Sequence, residues 1–302
     1  MSRILVVDDE TAIRWMLRDL LASFGHEVHE AVDGLDALEK ATTSHFDLVL
    51  SDISMPRLSG IELLKKLETV CPSTHRVLLT AHTLDEYIDL LMGNNLSCVL
   101  TKSVPFPVDE LVSTVDSLLT RRIFGIERHL HEIRNRSKIL VRNHREMVEA
   151  CEALSEVASH RRRHHLLTVL NEMVTNAVYY GAMNLPGDQK ETWCHDFQIP
   201  DELAVEIELA EGDDRKVITI LDHGGRLERK TVLHWLHRQM SQDQNGLPLG
   251  IFDNHGRGFF ISRTFSDRLS ISIERGKRCE IAMVLYNEAP PLGEKPLVIL
   301  EI

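Results

Sequence analysis

Two stretches decide the fold of the first part of the chain: Ile4-Leu5-Val6-Val7-Asp8-Asp9-Glu10 and Asp47-Leu48-Val49-Leu50-Ser51-Asp52. Each is a short continuous apolar run that ends in carboxylates. Such a run fits a strand buried on both faces, as in a parallel sheet covered by helices. Residues 76–80 (RVLLT) and 98–100 (CVL) read the same way. Amphipathic helical patterns lie between and after these runs, at 12–24, 34–42, 60–69, 85–92 and 108–119. Strands alternating with helices predict a doubly wound α/β domain. Its site belongs at the carboxyl ends of the strands.

The residues at those ends carry chemistry. Asp8 and Asp9 follow one strand, and Asp52 ends its expected neighbour. Three close carboxylates repel unless a cation joins them, and hard oxygen ligands suit Mg²⁺. The metal would neutralise an incoming phosphoryl group and leave Asp52 as nucleophile. Thr80 ends the third run and offers a hydroxyl. Lys102 follows the fourth and supplies a compact positive charge. In order, Asp8-Asp9, Asp52-Ile53-Ser54-Met55-Pro56 with Gly60, Thr80-Ala81 and Lys102 resemble the receiver domains of two-component response regulators over about residues 2–120. The resemblance implies a five-stranded parallel sheet, Asp52 as phosphoacceptor, and an upstream histidine kinase as partner. Two positions depart from the family pattern. Ser103-Val104 separate the lysine from Pro105, and Val99 stands where the family carries its aromatic switch residue.

At 302 residues the chain has room for about two domains. Residues 1–120 hold 19 acids against 9 Lys/Arg, whereas 121–165 hold 6 against 11. This change of sign places a boundary near residue 120. The basic stretch has no interleaved aromatics, which points away from nucleic acid. No apolar run is long enough for a membrane helix, and the N-terminus does not read as a signal peptide. Five scattered cysteines without a CxxC pair fit a reduced, cytoplasmic protein.

The second region is ordered differently. A strand at 138–141, a helix from His144 capped by Asn143, and a helix over 163–180 come first. Residues 182–202 read as a loop. Strands at 204–209 and 216–221 flank a turn in EGDDR. Residues 223–258 read as one long irregular segment, followed by a helix at 258–264 and a hairpin at 269–274 and 278–286. This pattern predicts an α+β sandwich. The expected organisation is a receiver over 1–122, a connector at 123–137, a second domain over 138–288 and a tail at 289–302.

Three pieces of the second region suit a nucleotide. Glu172 and Asn176 are four residues apart and share a helical face, where they can hold water and magnesium. Asp222-His223-Gly224-Gly225 ends a strand, so its acid can accept from an exocyclic amine. Gly256-Arg257-Gly258 opens a helix, a setting for phosphate. Together they resemble the Bergerat-fold ATPases, which include gyrase, Hsp90, histidine kinases and anti-sigma-factor serine kinases, over about residues 136–287. The resemblance implies an α/β-sandwich ATPase domain that binds ATP and Mg²⁺. Asn176 matches the family's Mg²⁺ ligand and Asp222 its adenine reader. Gly224, Gly256 and Gly258 frame the lid. The second glycine of the family's Asp-x-Gly-x-Gly comes early here, at Gly225. One strand and one helix before the Glu172 helix most resemble the compact anti-sigma-factor type, which phosphorylates a serine or threonine on an antagonist. Glu172 is then a candidate general base, or orders only water or metal.

Two alternatives stay open. One is a non-enzymatic switch that binds a sigma factor or antagonist. The other is an atypical histidine kinase using His131, although Arg136 replaces the usual proline and 40 residues before Asn171 leave little room for a helical hairpin. The His160–His165 run reads as a solvated helix start. Homodimerisation also stays open.

Overall fold

The computed structural model describes residues 1–82, 84–93, 98–102, 106–130, 132–160, 162–185, 196–241, 257–288, 295 and 297–302. It divides into two compact units, Met1–Arg122 with Pro291–Val298, and Ile123–Pro290 with Ile299–Ile302.

The first unit alternates β1 (Arg3–Val7), α1 (Thr11–Ser23), β2 (Glu27–Ala31), α2 (Gly34–Thr43), β3 (Leu48–Asp52), α3 (Gly60–Val70), β4 (His75–Thr80), α4 (Leu84–Gly93), β5 (Cys98–Thr101) and α5 (Val108–Thr120). The strands run parallel in the order β2-β1-β3-β4-β5. Ile4 to Val7 and Leu48 to Leu50 are fully buried, as strands covered on both faces require. Side-chain caps fix the helix starts. Asp33 accepts from the amides of Leu35 and Asp36, and Ser59 with Glu62 forms a capping box. The strand without an apolar run is β2. Its sequence, EVHEA, is half-buried up to Ala31, because it lies at the sheet edge and pairs with β1 alone. Leu297 and Val298 of β11 (Leu297–Glu301) pair antiparallel with Val99 and Cys98.

The second unit holds β6 (Asn135–Val141), α6 (His144–Ser155), α7 (Arg163–Asn176), β7 (Val205–Glu211), β8 (Arg215–Asp222), α8 (Arg229–Met240), α9 (Arg257–Phe265), β9 (Arg268–Glu274) and β10 (Arg278–Tyr286). Its strands form an antiparallel run β9-β10-β8-β7-β6. Asn143 caps α6 by accepting from the Glu146 amide. Two expectations change here. The segment 223–258 is not irregular throughout, because α8 occupies Arg229–Met240 and buries Val232, Leu233 and Leu236. The helix begun at Arg163 does not run α-helical to Tyr180. It passes at Ala177 into a π-helical turn, Ala177–Ala182.

Residues 123–130, expected in a connector, pack against the sheet of this unit. Ile126 and Leu130 join Ala210, Val217 and Val284 in one apolar cluster. The Gly125 amide donates to both oxygens of buried Glu280, at 3.0 and 3.1 Å. Val217 faces this cluster, so Ile220 and Asp222 of β8, with Cys279 and Ile281 of β10, face the other way, into a cavity. Among the described residues, no helix is long and apolar enough to cross a membrane.

Candidate functional sites

In the first unit the carboxyl ends of β1, β3, β4 and β5 gather the acids, the hydroxyl and the lysine. Asp8 is fully buried and Asp52 nearly so. Lys102 reaches both: its Nζ lies 2.6 Å from Asp8 Oδ2 and contacts Asp52 Oδ1. Asp52 Oδ2 accepts from the Ser54 amide at 2.6 Å. Thr80 Oγ1 accepts from the His82 amide at 2.9 Å, which leaves its own proton free to donate. Gly60 is dictated by close approach: a Cβ there would lie within bonding range of the Asp52 carbonyl oxygen, at 1.8 Å. Asp9 is exposed and lines a cleft with Ile53, Ser54 and Pro56. Arg14, which the sequence reading did not single out, is buried and holds the chain at this corner. It donates to the carbonyls of Asp8 (2.7 Å) and Asp9 (3.0 Å).

The electrostatics leave room for a further cation. Burial raises the Asp52 carboxyl above its ordinary value, outweighing the attraction of Lys102, and Asp8 adds to the rise. Burial also opposes the charge on Lys102, but the hydrogen bonds and charges of Asp52 and Asp8 hold its value above normal. One ammonium thus faces two buried carboxylates. Asp8 Oδ2 makes no hydrogen bond of good geometry besides this ion pair. Among the described residues, however, Asp8, Asp9 and Asp52 do not converge as a ready three-ligand cluster. Lys102 stands between two of them.

In the second unit, three separate stretches meet around one cavity of about 700 Å³. Asn176 comes from the end of α7, Asp222 from the end of β8, and Gly258 from the first turn of α9. Asp222 Oδ1 accepts from the amides of Gly224 (3.0 Å) and Gly225 (3.2 Å). Burial pushes its pKa up to about 6, against those two amides. A Cβ at Gly224 would lie 1.9 Å from the Gly181 carbonyl oxygen, so the expected glycine is required by a backbone contact. At Gly258 a Cβ would meet Met173 at 2.6 Å and the Asn176 amide at 3.1 Å, which places the start of α9 directly on the Asn176 face of α7. Glu172 lies beside the same glycine, 3.6 Å from where its Cβ would be, but is not among the residues that line the cavity. Gly256 and His131 lie outside the described residues.

Sequence reasoning missed several lining residues. Tyr180 and Gly181 come from the π-helical turn, and Thr231 and Trp235 from α8. The early Gly225 also finds its reason. Its φ is +58°, and a Cβ would lie 2.3 Å from the Lys277 amide nitrogen, so this glycine lets the chain pass under the β9–β10 turn.

A model of the response regulator receiver domain matches residues 4–116. Sporulation initiation phosphotransferase F of Bacillus subtilis is 31% identical over 119 residues, 39% of this chain and 94% of that protein. The chain belongs to the response regulator receiver family. Its first unit is therefore a receiver module of two-component signalling. Other relatives of the receiver are longer: the chain spans 26% of the transcriptional regulatory protein ZraR of Klebsiella oxytoca (38% identical, 38% of this chain). It spans 34% of the regulatory protein AtoC of Escherichia coli (33% identical, 52% of this chain). Among solved structures, chemotaxis protein CheY4 of Vibrio cholerae is 33% identical. It covers 39% of this chain and 99% of its own, with a TM-score of 0.37. In this receiver Val99 is fully buried in β5, with Leu78 of β4 and Leu297 as its strand partners. Residues 103–105 lie outside the described part.

Proposed function

We propose that this chain is a response regulator whose receiver is phosphorylated on Asp52 by an upstream histidine kinase, and whose output is an ATP-binding unit of the Bergerat type. On this reading the receiver spans 1–122 and the ATPase-like domain 138–288; the division of the chain after Arg122 supports it. In the receiver, Asp52 attacks the phosphoryl group. The phosphorus–nitrogen bond of a phosphohistidine breaks as the aspartyl oxygen–phosphorus bond forms. Lys102 then has a phosphoryl oxygen to neutralise, and the free Thr80 proton can be donated to another. Asp8 and Asp52, with Asp9 on the cleft, fit a hard divalent cation, because two buried carboxylates face one ammonium. Mg²⁺ bound there would supply charge neutralisation for the incoming group.

One observation carries the second half: Asn176, Asp222 and Gly258, far apart in sequence, line a single cavity of nucleotide size. Asp222 keeps one oxygen free for an exocyclic amine, since both glycine amides bind the other. Asn176 would hold Mg²⁺, and Gly224 and Gly258 allow close approach of the ligand to backbone. Calorimetry of the full chain with Mg·ATP tests this. Micromolar to millimolar binding that is lost in Asp222→Ala and Asn176→Ala supports it, and absence of binding in the unmodified chain refutes it.

The favoured output is a serine/threonine kinase acting on an anti-sigma antagonist or a sigma factor, with Glu172 as general base. A partner-binding switch is the second reading, favoured by the position of Glu172 off the cavity wall. Labelled ATP separates them: transfer of label to a partner identifies a kinase, and stable binding without transfer identifies a switch.

A further inference from the structure

The cavity of the second unit is bipolar. At its floor lies Asp222, 7% exposed, with one carboxylate oxygen uncommitted. At its rim lies Arg226, an exposed residue and the one Lys or Arg among the described lining residues. Asp222 is their one acid. The wall also holds the apolar and aromatic Ile220, Ile281, Phe259 and Trp235, beside the uncharged polar Asn176, Asn184 and Thr231. The opposite charges are not spent on each other: the partners of Asp222 are backbone amides, and among the described residues no ion pair ties Arg226 to an acid. A ligand suited to this cavity carries a hydrogen-bond donor at its buried end, a flat apolar body and an anionic group toward the mouth.

The backbone before Arg226 is held firmly. Gly225 takes a left-handed φ of +58° and lies against the backbone of Glu274, Lys277 and Arg278. The Gly276 amide donates to the Gly225 carbonyl at 3.0 Å. The arginine therefore leaves the chain from a fixed point, three residues before α8 begins. A guanidinium presents several N–H donors in a planar fork that matches phosphate oxygens.

We propose that Arg226 is the specificity-determining residue for the anionic end of the ligand, and that it selects a phosphorylated nucleoside over the free nucleoside. This rests on the nucleotide reading of the cavity. Arg226 is a binding residue, not one that reacts.

The test is calorimetric titration of the full chain, unmodified and as Arg226→Ala, Arg226→Lys and Arg226→Glu, with ATP, ADP and adenosine. Arg226→Ala should weaken ATP and ADP about tenfold or more, the range of a lost charge-assisted bidentate contact, and leave adenosine unchanged. Arg226→Glu should weaken the phosphates further, and Arg226→Lys should recover part of the loss. Thermal midpoints should be unchanged in all three, because the side chain is exposed and makes no hydrogen bond or ion pair among the described residues. An unchanged ratio of ATP to adenosine affinity in Arg226→Ala overturns this inference and leaves the nucleotide reading intact. Failure of the unmodified chain to bind either ligand overturns both.

Discussion

Gly181 lies so close to Asp222 that a Cβ at position 181 would sit 2.5 Å from the Asp222 carboxyl carbon. The π-helical turn brings it there, since one extra residue in the turn shifts the phase of the helix. Alanine at 181 should displace the carboxylate or the turn. We expect Gly181→Ala to cost about 1–3 kcal/mol of stability, as overpacking does, and to weaken ATP at least about tenfold. Urea unfolding and calorimetry read the two effects. Wild-type affinity in a folded Gly181→Ala protein would contradict the assigned closeness.

Asp222 also sets a pH dependence. Its pKa is near 3.8 unfolded and rises to about 6 in the folded chain because of burial. Between those values the folded state keeps a proton that the unfolded state has released. Stability from this group therefore falls as pH rises through that window, by up to about 3 kcal/mol. Asp222→Asn keeps an oxygen acceptor for Gly224 and Gly225 without the charge. The variant should gain stability relative to the parent as pH goes from about 4 to 7, and lose nucleotide binding. Urea midpoints of both proteins across that range give the difference directly. A constant difference would refute the assignment.

Lys102 is the one ammonium between Asp8 and Asp52, and its side chain is 10% exposed. Lys102→Met leaves two buried carboxylates facing each other without it. Removing one partner of a buried pair costs about 3–5 kcal/mol. We expect a loss of that order in the metal-free protein, smaller when Mg²⁺ is added. Phosphorylation by a small-molecule phosphoryl donor should also be lost, as in Asp52→Asn. Denaturation with and without Mg²⁺ checks the first claim, and acyl-phosphate labelling the second. A Lys102→Met protein as stable as the parent without metal would show that the pair matters less than its burial implies.

The receiver was legible because its chemistry sits directly after its apolar runs. Asp8, Asp52, Thr80 and Lys102 each lie at or next to a strand end, so finding the strand finds the residue. The sheet edge was harder: β2 has no apolar run because one side of it has no strand partner. In the second unit α8 escaped for a similar reason. Its sequence, RKTVLHWLHRQM, buries only Val232, Leu233, Leu236 and Gln239 and, apart from Trp235 and Met240, is otherwise basic and polar. Gly181 was invisible because its need arises from a contact with residue 222, forty-one positions away, and the π-helical turn that creates it leaves no period to read. Glu172 is the converse case. Helical spacing puts it on the Asn176 side, beside Gly258, yet the wall of the cavity forms around its neighbours.

Within the tail at 289–302, β11 gives Leu297 and Val298 a structural role. Leu297 and Val298 are each 1% exposed. Leu297 and Val298 cover the free edge of β5 by pairing with Val99 and Cys98. Leu297 and Val298 belong to the first unit, and two aliphatic side chains at about 1.5–3 kcal/mol each are a large share of the stability of a single domain. Leu297→Ala should therefore cost about 2–5 kcal/mol, and truncation before Leu297 should cost more, because it also uncovers the unpaired groups of β5. Heat denaturation ranks the three proteins, and hydrogen exchange at β5 distinguishes loss of pairing from general loosening. If the truncated chain keeps the parent's midpoint and its β5 protection, the pairing of Leu297 and Val298 with β5 contributes nothing to the stability of the first unit.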